Sequence, residues 1–368
     1  MVVDSLTLRN FRCFSERSFN FDGRLVIIEG PNGSGKSCLL EALHYCCYLR
    51  SFRTRLHRDL VQLGNNYFFV RLNVRQTATA LNDDIQVGFS EEEGKVVRWN
   101  QKVVTSHKEL VSQFKVITLV ADDIAMIQGE PEVRRDFLNY AMILNDPSFL
   151  GRYKTYRQIL SQRNSLLMAG GRVDDTFMTW TQQLWDAAAV IRQQRQEYLA
   201  HLERVVNMLL ATYFADDSQA DFRVELSYAT KGGADTENFE TFWKKFERTQ
   251  VQTEWQWRRS LFGVHLDDVA IIFQGRRARI YASRGQQKLL AFLLKIAQLQ
   301  PLSHEGDQRS VEPGILLLDD FMTDFDKVRV ERCLATLRHF DVQIFLSTPV
   351  DPRAFLNGFD DVTCHIHL

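Results

Sequence analysis

Gly30-Pro31-Asn32-Gly33-Ser34-Gly35-Lys36-Ser37 fits the phosphate-loop pattern GxxxxGK[ST] at every defined position. Gly30, Gly33 and Gly35 let the backbone curl, so that N–H groups along the loop, those of Asn32 and Ser34 included, can face phosphate oxygens where larger side chains would collide. Lys36 brings a point charge to the β- and γ-phosphates, and the Ser37 hydroxyl is a ligand for Mg²⁺. Two further stretches carry polar groups at places where chemistry is done. Ser283-Arg284-Gly285-Gln286-Gln287 precedes a long apolar run, so Ser283 reads as a helix cap, with Gly285 and Gln286 adding donors at the positive end of the helix dipole. An ordinary cap would look the same. Gly314-Ile315-Leu316-Leu317-Leu318-Asp319-Asp320 is an apolar run closed by two carboxylates, a Walker B-like strand that is common in α/β proteins and gains meaning from its place after the other two stretches.

The elements that must hold these groups follow from periodicity. Leu25-Val26-Ile27-Ile28 reads as a buried strand ahead of the loop, and 38–49 as a helix after it, with its positive end facing the anion. Alternation over 5–14 predicts an earlier strand, and 67–74, 84–89 and 95–104 predict a meander with turn residues between its strands. From about 121 the pattern turns helical: 122–135, 147–168 and 176–213, the last with an apolar stripe broken by a polar interval at 192–197. Strand character returns at 269–273 and 279–281, followed by a helix over 288–299, the carboxylate strand, a helix over 327–340 and a strand over 342–347. The division expected is 1–120 for the first part of an α/β lobe, 121–260 for an inserted helical lobe and 261–368 for the return.

Composition narrows the class. The 368 residues are 45% hydrophobic and 25% charged, with a net charge of −1. That is ordinary for a globular protein, and any attraction for nucleic acid must come from local patches. One such patch is Arg50, Arg53 and Arg55, just past the loop helix, which is either a solvated loop or a polyanion contact. Arg134, Arg152, Arg157, Arg163, Arg192, Arg195, Lys244 and Arg258 recur through the helical part and are either solvated faces or one basic surface. The six cysteines form no CxxC pair, which suits reduced core thiols and a cytoplasmic protein. No run reaches the length of a membrane span, so no membrane partner is expected.

Phosphate loop, SRGQQ and LLLDD in this order resemble ABC-type ATPases of the branch that includes SMC proteins. The chain is similar above all to the RecF family, in Ser51–Thr54 (SFRT), in ADDIAMIQGEPEVRRDFLN from Ala121, in YRQILSQRNSLL from Tyr156 and in GVHLDD from Gly263. The resemblance implies an α/β, ABC-type head with a helical second lobe inserted, and ATP and Mg²⁺ as cofactors. ATP would be held by Gly30, Asn32, Gly33, Ser34, Gly35, Lys36 and Ser37, the metal by Ser37 and Asp319. Asp320 would be the catalytic group that orients or deprotonates water. Ser283, Gly285 and Gln286 would reach the γ-phosphate bound by a second copy in an ATP-dependent homodimer, and Asp326 would lie in the loop facing that copy. It further implies a recombinational repair protein that binds duplex DNA or a single-strand/duplex junction, with RecR and RecO as partners and slow, DNA-stimulated hydrolysis. Phe321-Met322-Thr323-Asp324-Phe325-Asp326 stands where the family reads a SELD-like sequence, and GVHLDD stands for GPHRDD. His265, Asp267 and Asp268 are therefore either a metal cluster or a structural turn. An ATP-gated protein scaffold with incidental DNA contact is the alternative; the ATPase half of a transporter is disfavoured by the charged insertion.

Overall fold

The computed structural model describes residues 1–77, 80–104, 109–110, 113–170, 172–215, 222–232, 238–302, 314–320, 325–349 and 363–368. Of the loop after Asp320, Phe321 to Asp324 lie outside the described residues. Two compact units form: Met1–Asp123 with Phe292–Leu368, and Ile124–Ala291.

The first unit is built on two sheets. Five parallel strands run in the order Thr363–His367, Leu25–Glu29, Gln343–Thr348, Ile315–Leu318, Val116–Leu119. Leu25, Val26, Ile27 and Ile28 are fully buried, as are Leu316, Leu317 and Leu318, which is why these strands are uninterrupted apolar runs. Their parallel register brings Glu29, Thr348, Leu318 and Leu119 to one edge, where strand-to-helix loops gather as in other open α/β sheets. Val116–Leu119 was not foreseen from sequence, since a four-residue apolar run carries no periodicity. The second sheet is antiparallel, in the order Phe14–Asn20, Val2–Phe11, Tyr67–Arg75, Asn82–Ser90, Gly94–Trp99, Lys102–Val103. Its first two strands replace the single strand expected over 5–14: a turn with Arg12 at φ 53 folds them into a hairpin. The meander is present: Tyr67–Arg75 and Asn82–Ser90 are one and three residues longer than the alternation predicts, and the run expected over 95–104 is split into Gly94–Trp99 and Lys102–Val103. Helix Lys36–Tyr48 packs against both sheets, burying Leu39, Leu40, Leu43, Tyr45, Cys46 and Cys47.

The second unit holds helices Pro131–Asn145, Phe149–Ala169 and Asp175–Tyr213 and a sheet ordered Arg276–Arg277, Asp268–Phe273, Val224–Ala229. The long helix starts where Asp174 accepts the Phe177 N–H at 2.8 Å. The helix expected over 122–135 is three pieces, a 3₁₀ turn Ala121–Ile124, a short helix Ala125–Gln128 and Pro131–Asn145, because Gly129 and Pro131 interrupt it. Asp268–Phe273 pairs antiparallel with Val224–Ala229, so the segment to Ala291 belongs with the insertion and the return comes at 292 rather than 261. The strand expected at 279–281 is helical, Ala278–Tyr281. Helix Arg284–Ala297 begins four residues before the apolar run suggested.

A basic surface, the alternative to solvated faces in this unit, cannot draw on four of these arginines, which are buried. Arg163, fully buried, places both terminal nitrogens on Glu254 at 2.8 and 2.6 Å and stacks on Phe177 and Phe262. Arg192 bonds Asp267 at 2.8 and 3.3 Å, Arg195 reaches Asn139 at 2.7 Å, and Arg134 pairs with Asp268 at 2.9 and 3.1 Å. The polar interval 192–197 is thus where the core stripe of the long helix meets the buried Asp267 and Asn139. The same pairs answer the metal question for GVHLDD. Asp267 and Asp268 are held by arginines, and His265 Nδ1 hydrogen-bonds the Tyr156 hydroxyl at 2.6 Å. Among the described residues no group of three or more His, Cys, Asp or Glu is placed for a metal.

Candidate nucleotide site

At the C-terminal edge of the parallel sheet the chain leaves Glu29 and turns through the glycine loop into its helix. The two glycines whose Cβ would collide explain the loop's composition. At Gly30 a Cβ would lie 2.7 Å from the Leu368 carbonyl oxygen and 2.7 Å from Ser34 Oγ. At Gly35, φ is +108° and a Cβ would lie 2.8 Å from both Cys13 Sγ and Phe14 Cζ. Gly33 and Asn32 form the exposed crest of the turn, with Gly33 at φ +85°. Gly35 caps helix Lys36–Tyr48 without a side-chain hydrogen bond, leaving the helix start to be satisfied from outside. Lys36 is buried and folds over the loop, its Nζ donating to Gly30 O at 2.9 Å and Pro31 O at 3.1 Å. Ser34 Oγ is buried with no hydrogen-bond partner among the described residues. A cradle that excludes Cβ atoms, a buried ammonium and an orphaned buried hydroxyl are what a bound polyphosphate would satisfy.

The carboxylate strand ends beside this loop. Ser37 Oγ–H donates to Asp319 Oδ1 at 2.9 Å, and Ser347 Oγ–H donates to the same oxygen at 2.8 Å. Ser347 in turn accepts the Asp320 N–H at 2.8 Å. Asp320 stands at φ 47, a left-handed conformation that a non-glycine residue adopts at some cost, and Ser347 pins it there. Burial raises the Asp319 pKa above its ordinary value and the neighbouring Asp320 adds to the rise, while the two hydroxyls and the Arg53 cation act against it. A half-withdrawn carboxylate with a serine hydroxyl at its side is a hard-oxygen set suited to Mg²⁺. Two ligands at right angles on an octahedron with 2.0–2.1 Å bonds lie about 2.9 Å apart, as Ser37 and Asp319 do.

Sequence reasoning missed the residue that ties the SFRT segment to this site. Glu41, fully buried on the loop helix, receives Arg12 Nε at 2.8 Å and Nη2 at 2.6 Å and the Ser51 hydroxyl, with Arg53 Nη1 3.9 Å away. Ser51 Oγ also accepts the N–H groups of Arg53 and Thr54 at 2.8 and 3.1 Å, an arrangement that folds the turn on itself. The signal was available: a glutamate inside the apolar run CLLEALHYCCY is out of place unless paired. Arg53 is therefore directed toward the loop helix although exposed, and Arg50 and Arg55 are exposed as well. Ser283, Gly285 and Gln286 lie in the second unit. Ser283 N–H donates to Gln286 Oε1 at 2.8 Å and Gln286 N–H to Ser283 Oγ at 3.3 Å, a reciprocal capping box. Ser283 Oγ is an acceptor in that box and keeps its own proton to donate outward. Asp326 caps helix Lys327–Leu337 by accepting the Arg329 N–H at 2.9 Å.

Comparison with known proteins finds relatives over most of the chain. A family model described as an AAA domain matches residues 5–205. A DNA replication and repair protein RecF of Thermosynechococcus vestitus is 30% identical over 333 residues, 89% of this chain and 86% of that one. The solved structure of the recombination mediator protein RecF with ATP matches with a TM-score of 0.80 at 25% identity, covering 95% of this chain and 92% of that chain. An Smc head bound to the C-winged helix domain of ScpA matches with a TM-score of 0.52 at 14% identity over 95% and 90%, a likeness of fold alone. The fold is that of an ABC-type ATPase head.

Proposed function

The chain belongs to the RecF family of DNA replication and repair proteins, and we propose that it is an ATP-gated DNA clamp of recombinational repair. The observation that carries the reading is the meeting of Ser37, Asp319 and Ser347 beside a glycine loop that leaves no room for Cβ atoms at Gly30 and Gly35. ATP binds there, a reading supported by the relative solved with ATP. Gly30, Asn32, Gly33, Ser34 and Gly35 present backbone and hydroxyl donors to the phosphates, and Lys36 exchanges its loop carbonyls for phosphate oxygens. Mg²⁺ would be held by Ser37 and Asp319 and would supply charge neutralisation at the phosphates. Asp320, fixed by its backbone bond to Ser347, orients or deprotonates the attacking water.

In this proposal the second contact to ATP comes from another copy of the chain. Ser283, Gly285 and Gln286 of one copy meet the γ-phosphate held by its partner, with Ser283 donating the proton its capping role leaves available. ATP thereby closes a homodimer, and slow, DNA-stimulated hydrolysis opens it, a timer more than a motor. The DNA is duplex or a single-strand/duplex junction, met mainly at phosphates by Arg50, Arg53 and Arg55 with little sequence preference. RecR and RecO are the partners with which it helps load recombinase at gaps in the cytoplasm, under the demand of the SOS response. A second reading, an ATP-gated protein scaffold, is favoured by one observation: Arg134, Arg163, Arg192 and Arg195 are spent inside the second unit. Light scattering with no nucleotide, ADP and ATP, on wild type and Ser283→Arg, tests the proposal. The expected result is a monomer that doubles in mass only with ATP and a variant that binds ATP but stays monomeric. A mass unchanged by bound ATP would overturn the clamp.

A further inference from the structure

The six cysteines are not all core thiols. Cys46, Cys47 and Cys333 are fully buried, but Cys13 is exposed and Cys38 and Cys364 are half-buried. Cys13 lies in the turn between strands Val2–Phe11 and Phe14–Asn20, and Cys38 in the first turn of helix Lys36–Tyr48. The hairpin turn is laid along one face of the helix start, on which Gly35, Cys38 and Glu41 follow at three-residue steps. Arg12 Nε and Nη2 reach Glu41 at 2.8 and 2.6 Å. The Cys13 and Cys38 thiols are hydrogen-bond neighbours, and Cys13 Sγ lies 2.8 Å from where a Gly35 Cβ would stand. Arg12 N–H also donates to Leu60 O at 2.8 Å, so the turn that presents Cys13 is fixed in place. Cys364 has no such company; its Sγ meets the Asn20 carbonyl oxygen at 3.9 Å.

Thiols packed as small apolar groups need no further role, and that accounts for Cys46 and Cys47. It does not account for an exposed thiol held against a second one beside a glycine loop. Exposure makes Cys13 the sulfur that an outside disulfide meets first, and contact makes Cys38 the sulfur placed to resolve the product. A disulfide holds its sulfurs about 2 Å apart, well inside any hydrogen-bonded separation. Closing it therefore draws the helix start toward the hairpin turn, on the side where Gly35 has no room to give. The same first turn carries Lys36, whose Nζ must leave Gly30 O and Pro31 O to meet a phosphate. Cys38 Sγ also accepts Arg53 Nη1–H at 3.8 Å, so the link reaches the SFRT turn as well.

We propose that Cys13 and Cys38 form a reversible redox pair, oxidised by a low-molecular-weight disulfide, whose cross-link weakens nucleotide binding at the adjoining glycine loop. The Cys13 thiolate attacks one sulfur of the oxidant R–S–S–R, and R–S⁻ leaves. Cys38, as its thiolate, then attacks the Cys13 sulfur of the mixed disulfide; the Cys13–Cys38 bond forms and the second R–S⁻ leaves. The two thiol protons end on two R–SH, and the two electrons that the protein loses are gained by the oxidant. The effect on the loop rests on the nucleotide reading above, whereas the pair itself does not.

The test uses the full chain, either reduced with dithiothreitol or oxidised with glutathione disulfide. A peptide map without reductant is expected to show one cross-link, Cys13 to Cys38. The affinity for a fluorescent ATP analogue with Mg²⁺ should fall roughly fivefold or more on oxidation, a coupling of ordinary size, and return with dithiothreitol. Cys13→Ser and Cys38→Ser, each alone, should bind the analogue equally under both conditions, while Cys364→Ser should respond as the wild type does. Thermal unfolding checks the fold: the oxidised chain should melt cooperatively and at a higher temperature, since the cross-link constrains the unfolded chain. A glutathione adduct on Cys13 without the cross-link, a cross-link elsewhere, or loss of the cooperative melt on oxidation overturns the proposal. So does a fall in affinity that persists in Cys13→Ser. Reduced wild type that binds no ATP would sink the nucleotide reading and the coupling with it. Binding that oxidation leaves unchanged, with the cross-link formed, would sink the coupling alone.

Discussion

Asp319 receives two hydroxyl donors on one oxygen and lies where burial alone makes its charge costly. Such a group is poised for a cation more than for stability, since burial makes its charge costlier in the folded chain than in water. Asp319→Asn keeps the shape and an acceptor for both serines while removing the charge. The expected outcome is ATP affinity roughly tenfold or more weaker with Mg²⁺ and nearly unchanged in a chelator, read by fluorescent-nucleotide titration. Because the Asp319 pKa is raised, protons compete with Mg²⁺ at a higher pH than for an ordinary carboxylate. The wild-type Mg²⁺ effect should therefore fade on acidification before the usual value of 3.8 is reached. Equal ATP binding with and without metal in the wild type would remove Asp319 from the site.

Two elements owe their placement to buried polar groups, and each gives a measurable consequence. On the phosphate-loop helix, His44 hydrogen-bonds Thr118 Oγ1 at 2.8 Å. Burial drives its pKa from 6.5 down to about 3, with Lys295 and Arg50 adding to the fall. The unfolded chain thus takes the proton more readily. Stability is complete above pH 6.5 and is lost progressively as pH falls from 6.5 toward 3. His44→Gln, which keeps a hydrogen-bonding group but cannot titrate, should flatten the dependence of the urea midpoint on pH across that window. The difference between variant and wild type isolates His44 from His265, whose pKa is also lowered, to about 4. Between helices of the second unit, Arg163 and Glu254 are both fully buried. Glu254→Gln leaves the arginine charge without its counterpart and should cost about 3–5 kcal/mol in denaturant unfolding. Glu240→Gln removes an exposed partner of Lys244 and should shift the midpoint little.

For the whole molecule, the net charge of −1 together with the four buried arginines leaves DNA attraction to local groups of exposed cations. The clamp reading then predicts a DNA affinity that falls linearly on a log–log plot against salt, by roughly 0.9 per phosphate contacted. Neutralising Arg53 and Arg55 together should flatten that slope by about two units. A flat plot in the wild type would move the scaffold reading ahead. Among the described residues no helix is long and apolar enough to cross a membrane.

The phosphate loop, the capping box at Ser283 and the strand closing on Asp319 were readable along the chain because each requirement is local. Turn geometry needs glycine at successive positions, a helix start needs a cap, and a buried strand needs an unbroken apolar run. The roles of the arginines were not readable. Arg163 finds Glu254 across 91 residues and Ser37 finds Asp319 across 282, and whether a charge is solvated or paired depends on what packing brings beside it. The segment 261–291 joined the insertion for the same reason, its strand Asp268–Phe273 having its partner at Val224–Ala229. Residue types and spacing determined the glycine loop, the strand before it and the helix after it. Only the tertiary structure decided which cations remain at the surface to meet another molecule, since burial is a property of the packed chain and not of any stretch of it.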